Sequence, residues 1–271
     1  MLFLALVAKK IPNTKQQLQQ QDQNDSGPVM DLVRLALRPR VFLFVLECII
    51  MGAGMGTVER LLFLYLVNDL NASTLLCGVT VGVTVLFELP IFWYAQHFLS
   101  VFGHDGMLII SMICFVVRVW GYTLLMPSTR WFILPLEGLH GITFACFWVT
   151  STDVAKSLIC QVKGWNTAIP SIVQTLYACI GAGLGSIIGG WAMHHYGSKE
   201  MYRVTGYIVF VTLILHVASS IVSRWWGLAS VLPNYGAPSE EDSDGDESLK
   251  IEENLLPDEI FSTRNQPSIN N

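Results

Sequence analysis

Residues 41–67 read VFLFVLECIIMGAGMGTVERLLFLYLV, 27 residues of which only Glu47, Glu59 and Arg60 carry charge. Wound as an α-helix with about 1.5 Å rise per residue, this stretch is about 40 Å long, more than the ~30 Å hydrocarbon core of a bilayer. Working outward, five further apolar runs follow at 75–98, 106–126, 131–152, 167–191 and 202–222. The connections between them are short, so neighbouring helices must run antiparallel. The expected fold class is an all-α membrane protein, a bundle of six transmembrane helices.

Composition agrees. Charged residues make up 14% of the 271 residues and hydrophobic ones 52%, whereas a soluble domain carries about a quarter charged. The formal net charge of −5 is local in origin, because residues 239–261 hold 10 of the 21 acidic residues. The remainder of the chain is mildly basic, which argues against nucleic acid as a partner. The lipid bilayer is the partner that the composition demands. Cys48, Cys77, Cys114, Cys146, Cys160 and Cys179 form no CxxC and stand at no metal-ligand spacing with histidine, so they read as free thiols packed like small hydrophobes. No nucleophile triad, metal cluster, phosphate loop or dinucleotide motif is present. An enzyme, a metal and a cofactor are therefore not expected.

The chain divides by composition. Residues 1–8 (MLFLALVA) are too short for a signal peptide and are followed, not preceded, by lysines; they read as the remnant of a preceding membrane helix. Residues 9–40 form a Gln-rich polar linker whose last part, DLVRLALRPR, is amphipathic and suits the membrane surface. The six-helix bundle occupies 41–226, and 233–271 reads as an acidic disordered tail.

Lys9, Lys10, Lys15, Arg34, Arg38, Arg40, Lys156, Lys163 and Arg224 fall on one side of this frame, and Arg130, Lys199 and Arg203 on the other. By the positive-inside rule both termini are cytoplasmic, in the plasma membrane or an endomembrane. Asn71-Ala72-Ser73 is a glycosylation sequon on the outer side, in a very short loop. Trp93, Tyr94, Trp120, Tyr122, Trp131, Trp165, Trp191, Trp225 and Trp226 are expected near helix ends, the level that amphipathic rings prefer.

The informative residues are ionisable ones inside the apolar runs: Glu47, Glu59, Arg60, Glu88, Arg118, Glu137 and His140, with His216 a weaker eighth. Each costs about 2.5–3.5 kcal/mol at the bilayer centre even on mild scales, so it faces the bundle interior, a partner or water. Glu137 and His140 share a helix face at i, i+3, and a carboxylate beside an imidazole suits a proton relay. Arg118, 12 residues into its run, lies near mid-membrane within reach of Glu137. Proton coupling, a static buried salt bridge and direct substrate contact all remain open for these three residues. Glu88 precedes Pro90, where a kink would present its carboxylate to a polar substrate, and Glu59 is a second substrate-cavity candidate. Glu47 reads as a gate or interface residue. Gly181, Gly185 and Gly189 stand at four-residue spacing, which suits close helix packing or a sliding face.

Glu88-Leu89-Pro90-Ile91-Phe92 with Phe102-Gly103-His104 resembles a helix junction of the lactose-permease-like branch of the major facilitator superfamily. So do Leu139-His140-Gly141-Ile142-Thr143-Phe144 with Phe147-Trp148, and Gly185-Ser186-Ile187-Ile188-Gly189-Gly190. Within that branch the group of major facilitator superfamily domain-containing protein 6 is the one it resembles, over residues 41–223. The resemblance implies that this bundle is the C-terminal half of a twelve-helix fold, with the substrate site between the halves. It also implies that Arg118, on the ninth-helix equivalent, and Glu137 with His140, on the tenth, carry proton coupling. The Glu–His order is reversed from the permease, and His104 and Asp105 stand where the superfamily has bases. Glu88 falls on the eighth-helix equivalent, which carries a substrate-binding acid in the permease.

The expectation is thus a secondary active transporter for a small polar solute, by symport with protons and alternating access. It needs a second six-helix half, either a missing N-terminal half or a dimer mate. The rivals are a non-transporting receptor or scaffold on the same fold, and an inactive half-length fragment.

Overall fold

The computed structural model describes residues 29–162 and 164–225. The remnant expected at 1–8, the linker up to residue 28, Lys163, Trp226 and the tail at 233–271 lie outside the described residues. A short helix α1 (Val29–Ala36) leads into α2 (Pro39–Asn68), α3 (Thr74–Trp93) and α4 (Ala95–Leu124). A 3-10 turn (Pro127–Phe132) precedes α5 (Ile133–Ile159), followed by α6 (Ala168–Tyr196) and α7 (Ser198–Trp225). Among the described residues α2 to α7 are the six helices long and apolar enough to cross a membrane, and no strand is present.

Helix boundaries follow local chemistry. Pro39 opens α2, where its missing N–H is no loss. The Ser73 hydroxyl accepts from the Leu76 N–H at 3.3 Å and caps α3. Gly197, at φ 84°, turns α6 into α7.

Three expected runs are corrected. The run at 75–98 is broken at Tyr94, just past Pro90, so α3 ends at Trp93. The run at 106–126 starts early, because α4 begins at Ala95 and bends at Gly103 (φ 65°, ψ 178°), a conformation suited to glycine. Hydropathy registers composition and cannot register such a bend. The run at 131–152 continues to Ile159, which places Lys156 in the last turn of α5 and not in a loop. Past residue 152 the helix continues through a polar stretch in which the Ser157 hydroxyl bonds back to the Asp153 carbonyl (3.1 Å), as the Thr150, Ser151 and Thr152 hydroxyls do to Cys146, Phe147 and Trp148 just before it (2.8, 2.7 and 2.8 Å). Lys199 and Arg203 likewise sit in the first turns of α7.

The basic residues gather at opposite ends of the bundle. At the entry end, the Arg38 guanidinium donates to Gln161 Oε1 (2.8 Å) and Arg40 to the Ser223 hydroxyl (2.5 Å). At the far end, Arg130 donates to the Asn71 carbonyl (2.7 Å) and Lys199 to that of Leu125 (3.1 Å).

The α2–α6 seam is set by small residues. A Cβ at Gly181 would lie 2.6 Å from the Ile49 carbonyl oxygen, at Gly185 2.0 Å from that of Ala53, and at Gly189 2.5 Å from Thr57 Cγ2. The complement is on α2, where a Cβ at Gly52 would meet the Tyr177 carbonyl at 2.3 Å and at Gly56 the Ala182 Cα at 2.5 Å. Gly183 and Gly190 face open space. Within α6 the segment Leu176–Gly181 is π-helical, a local widening often found at functional sites. Gly141 sets α5 on α3: a Cβ there would be 2.5 Å from the Thr84 carbonyl.

The Gly103 bend sends its two successors to different helices. His104 Nε2 lies 2.7 Å from Asp153 Oδ2 on α5. Asp105 accepts from Arg40 (3.3 Å) on α2 and from the Ser220 hydroxyl (2.5 Å) on α7. Asp105→Ala would strip Arg40 of its charge partner where both side chains are mostly buried, 17% and 22% exposed. Thermal unfolding of the purified protein in detergent should show a loss of about 2 kcal/mol. Asp105→Asn, which keeps an acceptor, should lose less.

Candidate functional site

Four side chains from two helices meet in the bundle interior. α4 supplies Arg118 and, one turn on, Tyr122; α5 supplies Glu137 and His140. Arg118 and Tyr122 are fully buried and Glu137 is 3% exposed. The guanidinium engages three groups: its Nε donates to the Tyr122 hydroxyl, Nη1 to His140 Nδ1, and Nη2 to Glu137 Oε1 at 3.5 Å. The Tyr122 hydroxyl donates to Glu137 Oε1, while the Thr84 hydroxyl of α3 lies 3.2 Å from Oε2. Behind them Tyr65 donates to the Tyr122 carbonyl (2.7 Å), and the Tyr202 ring packs edge-on against both Tyr65 and Tyr122. The charged groups are thus walled by phenol rings and held in one geometry.

The tautomer of His140 follows from its neighbour. A guanidinium has only donors, so Nδ1 must accept and carry no proton. The ring proton is then on Nε2, which points at Glu59 Oε1 of α2, 3.8 Å away. Glu59 is 48% exposed along its side chain. A row of polar groups therefore runs from the buried Glu137 through Tyr122, Arg118 and His140 toward the Glu59 carboxylate, with a 3.8 Å step at its outer end. Arg118 keeps its protons, so the row can transmit a charge displacement across helices when a carboxylate at either end changes protonation.

Arg118, Glu137 and His140 come together, and Glu59 joins them through His140. Glu88, half-buried on α3, makes no hydrogen bond or ion pair with the described residues. Arg60 is exposed beside Glu59. Gly181, Gly185 and Gly189 stand at the α2–α6 seam, outside this constellation. Asn71 is exposed in the α2–α3 turn, at φ 48°. Glu47 and His216 form a separate buried pair, Oε1 to Nδ1 at 2.6 Å, near the entry end.

Trp120 and Tyr122 lie near the C-terminal end of α4, as expected, but both rings make inter-helix contacts: Tyr122 is a central member of the charge cluster, and Trp120 packs on Tyr207 and Phe210 of α7. The signal for Tyr122 was its i+4 position from Arg118, which puts both on one face. Thr84 had no comparable signal. Trp93, Trp131, Trp191 and Trp225 are exposed.

Outward from this interior, large apolar side chains such as Leu75, Leu86, Ile187 and Tyr207 face out from the bundle. Charges inside and hydrocarbon outside define a multi-pass helical membrane protein, built as half of a major facilitator bundle. The chain belongs to the MFS_1 like family, whose profile matches residues 1–204. It is similar to Major facilitator superfamily domain-containing protein 6-like of Mus musculus, 23% identical over 66% of this chain and 30% of the relative. The similarly titled protein A of Xenopus laevis is 22% identical over 66% of this chain and 28% of its own length. The Danio rerio protein is 22% identical over 69% and 34% respectively. The chain therefore spans about a third of the length of these relatives. No solved structure matches.

Proposed function

We propose that this bundle is one half of an alternating-access secondary transporter for a small polar solute, with Arg118, Glu137 and His140 as its proton-coupling centre. Family membership supports the transporter class. The observation that carries the coupling role is the fully buried Arg118, held by Tyr122, His140 and Glu137 and linked through His140 to the half-exposed Glu59. The contacts of the guanidinium extend beyond Glu137, through His140, toward the half-exposed carboxylate of Glu59 on a third helix. Glu59 and Glu88 face the solute in this reading, and a second six-helix half closes the site.

The test is solute accumulation by proteoliposomes holding the complete natural polypeptide under an imposed pH gradient. Glu137→Gln and His140→Asn should each reduce gradient-driven uptake by about tenfold or more; His140→Asn should leave solute exchange without a gradient largely intact, whereas Glu137→Gln, which strips the buried Arg118 of its carboxylate, should also lower stability. Unchanged gradient-driven uptake in both variants would remove the coupling role and leave a structural bridge.

A further inference from the structure

The α5 face that carries His140 continues as a row of rings. His140 stacks on Phe144 (centroids 6.4 Å, 21° between planes), and Phe144 on Trp148 (5.9 Å, 16°). Their i, i+4, i+8 spacing repeats one helix face. From α3, Phe92 meets Phe144 edge-on at 6.3 Å, and Phe92 stands one turn beyond Glu88. From α6, Tyr177 meets Trp148 at 6.1 Å and stacks on Phe147 at 5.3 Å. Tyr177 lies within the π-helical segment Leu176–Gly181. Around this end of the row lies a cavity of about 260 Å³ between α5 and α6, lined by Phe147, Trp148, Ser151, Pro170, Gln174 and Tyr177.

The same two levels recur on separate helices. An ionisable level holds Glu59 on α2, Glu88 on α3 and His140 on α5. An aromatic level, one to two turns nearer the chain's entry end, holds Phe92, Phe144, Trp148 and Tyr177. Among the described residues the charge of the first level is not balanced. Arg118 is matched to Glu137, which leaves Glu59 and Glu88 against Arg60. A neutral polar solute would not call for an excess carboxylate, and an anion would be repelled by it. Ring faces carry negative potential, so they too favour a cation over an anion.

Resting on the transporter reading above, we propose that the solute is an organic cation bearing an aromatic or alicyclic ring. Its ring occupies the Trp148–Tyr177 cavity, and its cationic group lies at Glu59 and Glu88. The stacking steps between His140 and Trp148 separate the two ends, so the ring and the charge are joined by a spacer of several atoms.

The test is equilibrium binding of tritiated 4-phenylbutyltrimethylammonium to the complete natural polypeptide in lipid nanodiscs. The cation should bind at least about tenfold more tightly than 4-phenylbutanol, and 4-phenylbutanoate should bind weakest. Glu59→Gln with Glu88→Gln, and separately Trp148→Ala, should each weaken it about tenfold, with Trp148→Phe within about threefold of the natural protein. Equal affinity for the alcohol or the carboxylate overturns the proposal. So does no binding of any of the three compounds, or indifference to the double acid replacement. Because binding is read without movement, the two readings separate. A cation that binds as described but never crosses a proteoliposome membrane supports the class and sinks the transport reading; saturable uptake of a neutral or anionic solute, untouched by the acid replacements, does the reverse.

Discussion

Arg118→Leu should abolish most folded protein, because it leaves the Glu137 carboxylate buried with only Tyr122 and Thr84 as hydrogen-bond donors. Breaking a buried pair by removing one member costs about 3–5 kcal/mol, since the remaining charge stays desolvated. Fluorescence-detected size-exclusion chromatography and thermal unfolding in detergent should report the loss. Arg118→Leu combined with Glu137→Leu should recover most of it, because an apolar pair of similar volume avoids the desolvation cost. The double replacement should still fail to accumulate solute. A single Arg118→Leu variant as stable as the natural protein would falsify the burial and pairing described here.

Gly185→Ala is the second large effect. The added Cβ would lie 2.0 Å from the Ala53 carbonyl oxygen and 2.6 Å from its carbonyl carbon, backbone atoms that no side-chain rotation can move. Either α6 shifts away from α2 or the seam strains, and overpacking of this kind costs about 1–3 kcal/mol. The Thr57 hydroxyl, which lies 2.7 Å from the Gly185 carbonyl oxygen, would lose that contact as well. Gly183→Ala is the internal control: nothing lies within 4 Å of its added Cβ, and alanine favours helix by up to about 1 kcal/mol. It should be neutral or slightly stabilising in the same thermal measurement. Equal losses at the two positions would mean that the α2–α6 contact lies elsewhere. If the seam also slides during a transport cycle, a milder Gly181→Ala should slow turnover more than it reduces solute affinity.

Much of the architecture was legible in the residues. The six spans, the separation of basic residues to two ends and the presence of Arg118, Glu137 and His140 within apolar helices all follow from local sums of hydropathy and charge. The glycine spacing on α6 is legible too; its complement on α2, Gly52 and Gly56, also stands at four residues, but Gly54 between them faces Phe115 and the partner helix is not written in the spacing. Boundaries near Pro90 and Gly103 were misread, since a bend is a matter of dihedral angles and leaves the composition unchanged. The polar end of α5 was misread for a related reason: hydroxyls that look solvent-seeking are satisfied by the helix's own carbonyls.

The sequence by itself determined that this is a multi-pass helical membrane protein, where the six spans among the described residues lie and which ionisable residues fall inside them. Those properties are additive along the chain, because transfer of each helical segment into hydrocarbon depends on its own residues. Only the tertiary structure decided who partners whom. Glu47 meets His216 across 169 positions, and the adjacent residues His104 and Asp105 are drawn to different helices. Tyr122 turns inward between Arg118 and Glu137. Each pairing depends on how the helices are rotated about their axes and how closely they approach. That is set jointly by glycines on α2, α5 and α6 packing against backbones distant in the chain, which no local sum along the sequence contains.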